Sequence, residues 1–135
     1  MRDFLLDTNH FRPALQPGSG VRDRILKTLR SGSRVGTCIP VLCEFEIGIQ
    51  QTRNPDASRK ALSRLLASLR LWPLDREVAR LYGSIFLTLR SRGRVLSQVD
   101  MMAAALALRM NLTLVSSDGD FDALPEIRRE NWLDS

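Results

Sequence analysis

Short apolar runs that stop abruptly at acidic, polar turns alternate with helical patterns along this chain, and that alternation constrains its fold more than any other feature. Phe4, Leu5 and Leu6 break off at Asp7, Thr8 and Asn9, the pattern of a short buried strand leaving a sheet through a polar turn. A loop through Pro13, Pro17 and Gly18 follows, then a helix over 21–30 carrying Val21, Ile25, Leu26 and Leu29, and a second strand over 34–37. Pro40 suits the first turn of a helix running to about Gln51. The polar stretch 52–58 links it to another, with a stripe of Leu62, Leu65, Leu66 and Leu69. Residues 71–74 read as a third strand despite Pro73, and Asp75 caps a helix that reaches about Arg90 and is closed by Gly93. Ser97 with Asp100 has the form of a capping box opening an alanine-rich helix to Met110, and Thr113, Leu114 and Val115 make a further strand with a polar exit turn over 116–122.

Strands alternating with helices predict a single three-layer α/β/α domain over 1–135, with a mostly parallel sheet and right-handed connections. With 44% hydrophobic and 26% charged residues the chain can bury one ordinary core, which excludes a disordered or collagen-like polymer. The longest apolar run, Met101 to Leu108, is far short of the ~20 residues of a membrane span, and the opening residues lack a signal-peptide core. A cytoplasmic protein is expected. Cys38 and Cys43 match neither a zinc site nor a disulfide framework and read as reduced, partly buried thiols. The 20 basic residues outnumber 15 acidic ones, a balance that suits anionic partners, although arginine also covers ordinary helix faces.

In an open α/β sheet, ligands gather beyond the carboxyl ends of the strands. Asp7 leaves the first strand there, and Asp118 and Asp120 leave the strand ending at Val115. Asp100, in the first turn of a helix that can approach closely through Ala103, Ala104 and Ala107, enters the same crevice. Each acid also has an ordinary structural use: Asp7 in an Asx-type turn, Asp100 as the capping-box acid, Asp118 shaping a turn with Gly119. A further acid comes from the helix after Pro40, where Glu44 and Glu46 flank the stripe of Val41, Phe45 and Ile49 symmetrically. Periodicity does not choose between them. Carboxylates converging in one pocket raise one another's pKa values unless cations neutralise them, and hard oxygen ligands select Mg²⁺ or Mn²⁺. Such an ion acidifies a bound water and stabilises charge on a phosphoryl oxygen, the requirements of phosphodiester hydrolysis without a covalent nucleophile.

These residues resemble the PIN-domain ribonucleases, in particular the VapC toxins of VapBC toxin–antitoxin pairs. The resemblance spans the chain through Leu6-Asp7-Thr8-Asn9, Glu44-Phe45 with Gly48, Asp100 leading Met101-Met102-Ala103-Ala104, the turn Ser117 to Phe121, and the ending Ile127, Glu130, Asn131 and Trp132. It implies a metal-dependent endoribonuclease, with Asp7, Glu44 and Asp100 as metal-site and catalytic acids. It selects Glu44 over Glu46, because the family's acid stands four residues before a glycine, here Gly48. The last turn supplies the fourth acid, either Asp118 or Asp120, while Thr8, Asn9 and Ser117 support the site by hydrogen bonds. Two departures are Leu96-Ser97-Gln98 before Asp100, where relatives often have an Ile-Gly pair, and His10, where an aliphatic residue is commoner; this lone histidine reads as surface decoration, with contact to RNA beside Asp7 as the alternative.

The implied partners are an RNA substrate, a VapB-like antitoxin lying along an apolar groove, and a second copy of the chain as homodimer. The stripe of Leu62, Leu65, Leu66 and Leu69 is a candidate groove wall and equally an ordinary core face. Three rival readings are a haloacid-dehalogenase-like phosphatase, which would need a second Asp where Asn9 stands, a phospho-receiver domain, which would need a lysine after a late strand where only Lys27 and Lys60 exist, and a basic nucleic-acid-binding α/β module without chemistry.

Overall fold

Leu5, Leu6, Val35, Leu114 and Val115 are fully buried, as apolar runs in strands covered on both faces must be. The computed structural model describes residues 2–133, so Met1, Asp134 and Ser135 of the expected domain lie outside the described residues. Five strands, β1 (Asp3–Leu6), β2 (Val35–Thr37), β3 (Arg70–Leu71), β4 (Leu112–Val115) and β5 (Arg129–Glu130), pair in parallel in the order β3-β2-β1-β4-β5. The flanking helices are α1 (Phe11–Ala14), α2 (Gly20–Arg30), α3 (Ile39–Gln50), α4 (Pro55–Leu66), α5 (Arg76–Ser91) and α6 (Gln98–Met110).

From β1 the chain winds outward to β2 and β3, then crosses back to β4 and continues to β5 on the other side. The winding direction reverses between β1 and β4, and a crevice opens where their carboxyl ends diverge. Helix α6 reaches this region because Ala103, Ala104 and Ala105 are fully buried and small enough for it to pack closely on β4 and α5. Gly36 in β2 is required by a close approach: a Cβ there would lie 2.6 Å from the Arg70 carbonyl oxygen and from the Trp72 ring. Gly93, at φ +67°, takes the left-handed turn that ends α5.

Several boundaries differ from the sequence reading. Strand β3 covers Arg70–Leu71, earlier than expected: Pro73 has no N–H to donate, and the last ladder bond runs from Trp72 N to Thr37 O at 2.9 Å. Helix α4 begins inside the polar link, because the Asn54 side chain accepts from Ala57 N and caps it, and it ends at Leu66, leaving Leu69 outside. The loop after Asn9 instead forms a 3-10 turn, Thr8–His10, and the short α1, whose Phe11 and Ala14 are fully buried. Strand β5 was not expected at all. Both cysteines are free, but Cys38 is buried whereas Cys43 is exposed rather than partly buried. Among the described residues no helix is long and apolar enough to cross a membrane.

Candidate active site

The parallel register of β1 on β4 sets Leu6 beside Val115, so the next residues of the two strands, Asp7 and Ser116, emerge together into the crevice. Asp7 N donates to Val115 O at 2.9 Å and closes the junction. The Asp7 carboxylate is 3% exposed and has a donor for each oxygen: Thr8 N to Oδ1 at 2.8 Å and Ser116 Oγ to Oδ2 at 2.7 Å. Burial raises its pKa; the two hydrogen bonds oppose that shift, and the charges of Glu44 and Asp118 add to it.

Asp100 sits in the first turn of α6, held by its own N–H donating to Ser97 Oγ at 3.1 Å, the expected half of the capping box. Burial, then the charge of Asp7, push its pKa up to about 6, and Asp118 and Glu44 contribute in the same direction. Glu44 is half-buried on α3. Asp118 follows β4, donates its N–H to Ser116 Oγ at 3.1 Å and caps the 3-10 turn Gly119–Ala123. Acids from β1, α3, α6 and the turn after β4 thus share one electrostatic field.

Asp120 stands apart. Its N–H donates to Asp118 Oδ1 at 2.9 Å, its side chain is exposed, and it is not among the charges that shift Asp7 or Asp100. Glu46 faces elsewhere, paired with Arg59 and accepting from Gln50 Nε2 at 3.3 Å. Of the supporting residues, Asn9 donates from Nδ2 to Ser116 Oγ at 3.2 Å, and Ser117 takes part through its backbone N–H, 3.3 Å from Asn9 Oδ1. The Thr8 hydroxyl oxygen is buried without a hydrogen-bond partner.

Two residues escaped the sequence reading. Ser116 could have been found from the register alone, as the first residue past β4 opposite the first past β1. His10 is corrected outright: it is fully buried, and burial lowers its pKa to about 4. Its Nε2 accepts from Trp132 N at 3.0 Å, because the segment after β5 folds over the 3-10 turn.

No group of three or more acidic, histidine or cysteine side chains among the described residues is gathered tightly enough to enclose a metal unaided. The donor set nevertheless fits a hard divalent cation: the side chains converging here are carboxylates, and burial, with the charges of neighbouring acids adding to it, has raised the pKa of two, a shift that bound positive charge reverses. Beside them lies a cleft of about 460 Å³ lined by Thr8, Asn9, Arg12, Glu44, Phe45 and Gly48. A second groove of about 690 Å³ runs between α3 and α4, past Ile39, Leu42, Cys43, Ile47 and Leu62. Leu62 is the stripe residue that lines it, whereas Leu65 is 6% exposed and belongs to the core.

The sequence model of the PIN domain matches residues 4–127. The chain belongs to the PIN-domain family. This PIN domain is 23% identical to "Ribonuclease VapC2" of Rickettsia felis over 130 residues, 96% of this chain and 97% of the relative. It is 30% identical to "Ribonuclease VapC5" of Mycobacterium tuberculosis over 93 residues, 67% of this chain and 69% of the relative. Among solved structures it resembles DNA-bound VapBC from Salmonella typhimurium, with a TM-score of 0.85 and 24% identity over 98% of this chain and 99% of that one. These relatives favour neither a phosphatase nor a non-catalytic binding module.

Proposed function

We propose that this PIN domain is the toxin of a type II toxin–antitoxin pair, an endoribonuclease of the cytoplasm that requires Mg²⁺ or Mn²⁺. The observation that carries the reading is the meeting of Asp7, Glu44, Asp100 and Asp118 at the reversal point between β1 and β4, in a chain whose relatives are named ribonucleases. Asp118, rather than Asp120, is the fourth acid, since its charge acts on both Asp7 and Asp100.

These carboxylates would hold the ion. When bound, the divalent ion supplies an acidified water and neutralises developing charge on the phosphate. The chain supplies the orientation. Thr8 N–H and the Ser116 hydroxyl fix the plane of the Asp7 carboxylate, and Ser97 fixes the start of α6 and with it Asp100. Arg12 borders the adjacent cleft and presents a guanidinium to the phosphate flanking the scissile bond, where a planar fork matches phosphate oxygens. The wider arginine excess draws RNA by counterion release.

The partner is a VapB-like antitoxin. Its tail occupies the groove between α3 and α4, where Ile39 and Ile47 are 54% and 62% exposed, and sends a basic side chain toward the acids. A homodimer is proposed for the free toxin. The test is induced expression with sequencing of RNA 5′ ends: new cleavage sites and growth arrest, both suppressed by the co-expressed antitoxin, support the reading. Growth arrest without new RNA ends refutes it.

A further inference from the structure

The hydrogen bonds around His10 have only one consistent direction. A backbone amide can donate and cannot accept, so the 3.0 Å contact between Trp132 N and His10 Nε2 leaves Nε2 without a proton. The neutral ring then carries its proton on Nδ1, which lies 2.6 Å from Asn9 Oδ1 and donates to it. That donation, with Ser117 N donating to the same oxygen at 3.3 Å, orients the Asn9 amide so that Nδ2 points to Ser116 Oγ, 3.2 Å away. Ser116 Oγ accepts from both Asn9 Nδ2 and Asp118 N, at 3.2 and 3.1 Å. Its single proton therefore goes to Asp7 Oδ2 at 2.7 Å.

The anchor of this chain of bonds is rigid. Trp132 is 1% exposed, packs on Phe4 with ring centroids 5.2 Å apart, and lies 5.1 Å beneath the Arg24 guanidinium. Its indole N–H donates to Glu130, which also pairs with Arg2 and Arg24. From β5, Arg129 donates to the Ser116 carbonyl at 3.0 Å, so the carboxyl-terminal segment holds both ends of the relay.

We propose that His10 is a positioning residue of the nuclease site: locked by Trp132 as the Nδ1–H tautomer, it sets the Asn9 amide, and through Ser116 it commits a hydrogen-bond donor to Asp7. This rests on the nuclease reading above for its consequence, though not for its geometry. Burial keeps the ring neutral through the physiological range, so it acts as a fixed connector rather than a proton carrier. The chemistry at residue 10 demands an acceptor on one side and a donor on the other. Glutamine can supply both and phenylalanine neither.

Two measurements test the proposal. Nitrogen-15 NMR of the full chain should show His10 with a protonated Nδ1 and a bare Nε2 from about pH 6 to 8. A protonated Nε2 reverses the chain of bonds and overturns the proposal, whatever the enzyme does. Mn²⁺ titration and steady-state RNA cleavage then compare variants. His10→Phe should weaken Mn²⁺ binding and lower kcat about 10-fold or more with KM within about twofold, and His10→Gln should restore most of the loss. Folded His10→Phe with unchanged Mn²⁺ affinity and kcat would also overturn it. If His10→Phe fails to fold, the tautomer and the His10→Gln variant decide: Mn²⁺ affinity and kcat near wild type support the relay, and a loss of 10-fold or more counts against it. Wild-type protein that binds Mn²⁺ but cuts no RNA refutes the nuclease reading instead.

Discussion

Ser116 donates its hydroxyl proton to Asp7 across the junction of β1 and β4, joining residues 109 positions apart at 2.7 Å. This bond opposes the upward pull of burial on the Asp7 pKa. Ser116→Ala should therefore raise the Asp7 pKa further and move the acidic limb of the pH–activity profile to higher pH. It also leaves Asn9 Nδ2 and Asp118 N without their acceptor, at a cost of about 1–3 kcal/mol for each that stays dry. Kinetics across pH with a urea melt check both effects.

Glu44→Gln should reduce cleavage by about 100-fold or more, because it removes a charged ligand. Glu46→Gln should leave cleavage within about twofold and the Tm nearly unchanged, since its pair with Arg59 is at the surface and screened by solvent. The same contrast should separate Asp118→Asn from the milder Asp120→Asn. Single-turnover rates on one labelled RNA measure all four.

Asp100 titrates near pH 6 in the metal-free fold, against 3.8 for the free side chain. Between these values the folded chain holds a proton that the unfolded chain has released. The stability this group contributes is complete below about pH 4 and is lost as pH rises through about 6. Asp100→Asn should thus raise the Tm of metal-free protein at neutral pH while abolishing turnover, and the Tm difference should shrink as pH falls toward 4. In the wild type, cleavage should fall toward acid pH as ligand acids protonate and release the ion, and raising Mn²⁺ should move that limb to lower pH. Calorimetry and rates over the same pH series test the signs.

The strands and the acids were legible in the sequence to different depths. Leu5-Leu6 and Leu114-Val115 announced β1 and β4 because both faces of those strands are buried. Strand β5 was invisible: Arg129 and Glu130 present charged side chains, and only backbone pairing with β4 makes them a strand. Periodicity placed Glu44 and Glu46 symmetrically, and only the resemblance, through Gly48, chose Glu44; the physical difference, Glu44 acting on the charge of Asp100 while Glu46 pairs with Arg59, lies in the fold. His10 looked like a surface residue because what buries it, Trp132, is 122 positions away.

The groove between α3 and α4 carries its own prediction. Ile47→Asp should weaken antitoxin capture about 10-fold or more and leave the circular dichroism spectrum and RNA cleavage unchanged, because Ile47 is 62% exposed. Leu65→Asp should instead unfold the protein, since it buries a charge in the core. Equal antitoxin binding by folded Ile47→Asp would move the interface elsewhere.

The carboxylate mechanism stands or falls on one assay: cleavage of a labelled single-stranded RNA by purified protein in EDTA, then with Mn²⁺ restored, beside Asp7→Asn. The acids at the β1–β4 junction should make cleavage vanish in EDTA, return with Mn²⁺, and stay absent in Asp7→Asn, although RNA binding at low salt persists in every case. Cleavage that survives both EDTA and Asp7→Asn, in protein free of contaminating ribonuclease, would contradict it.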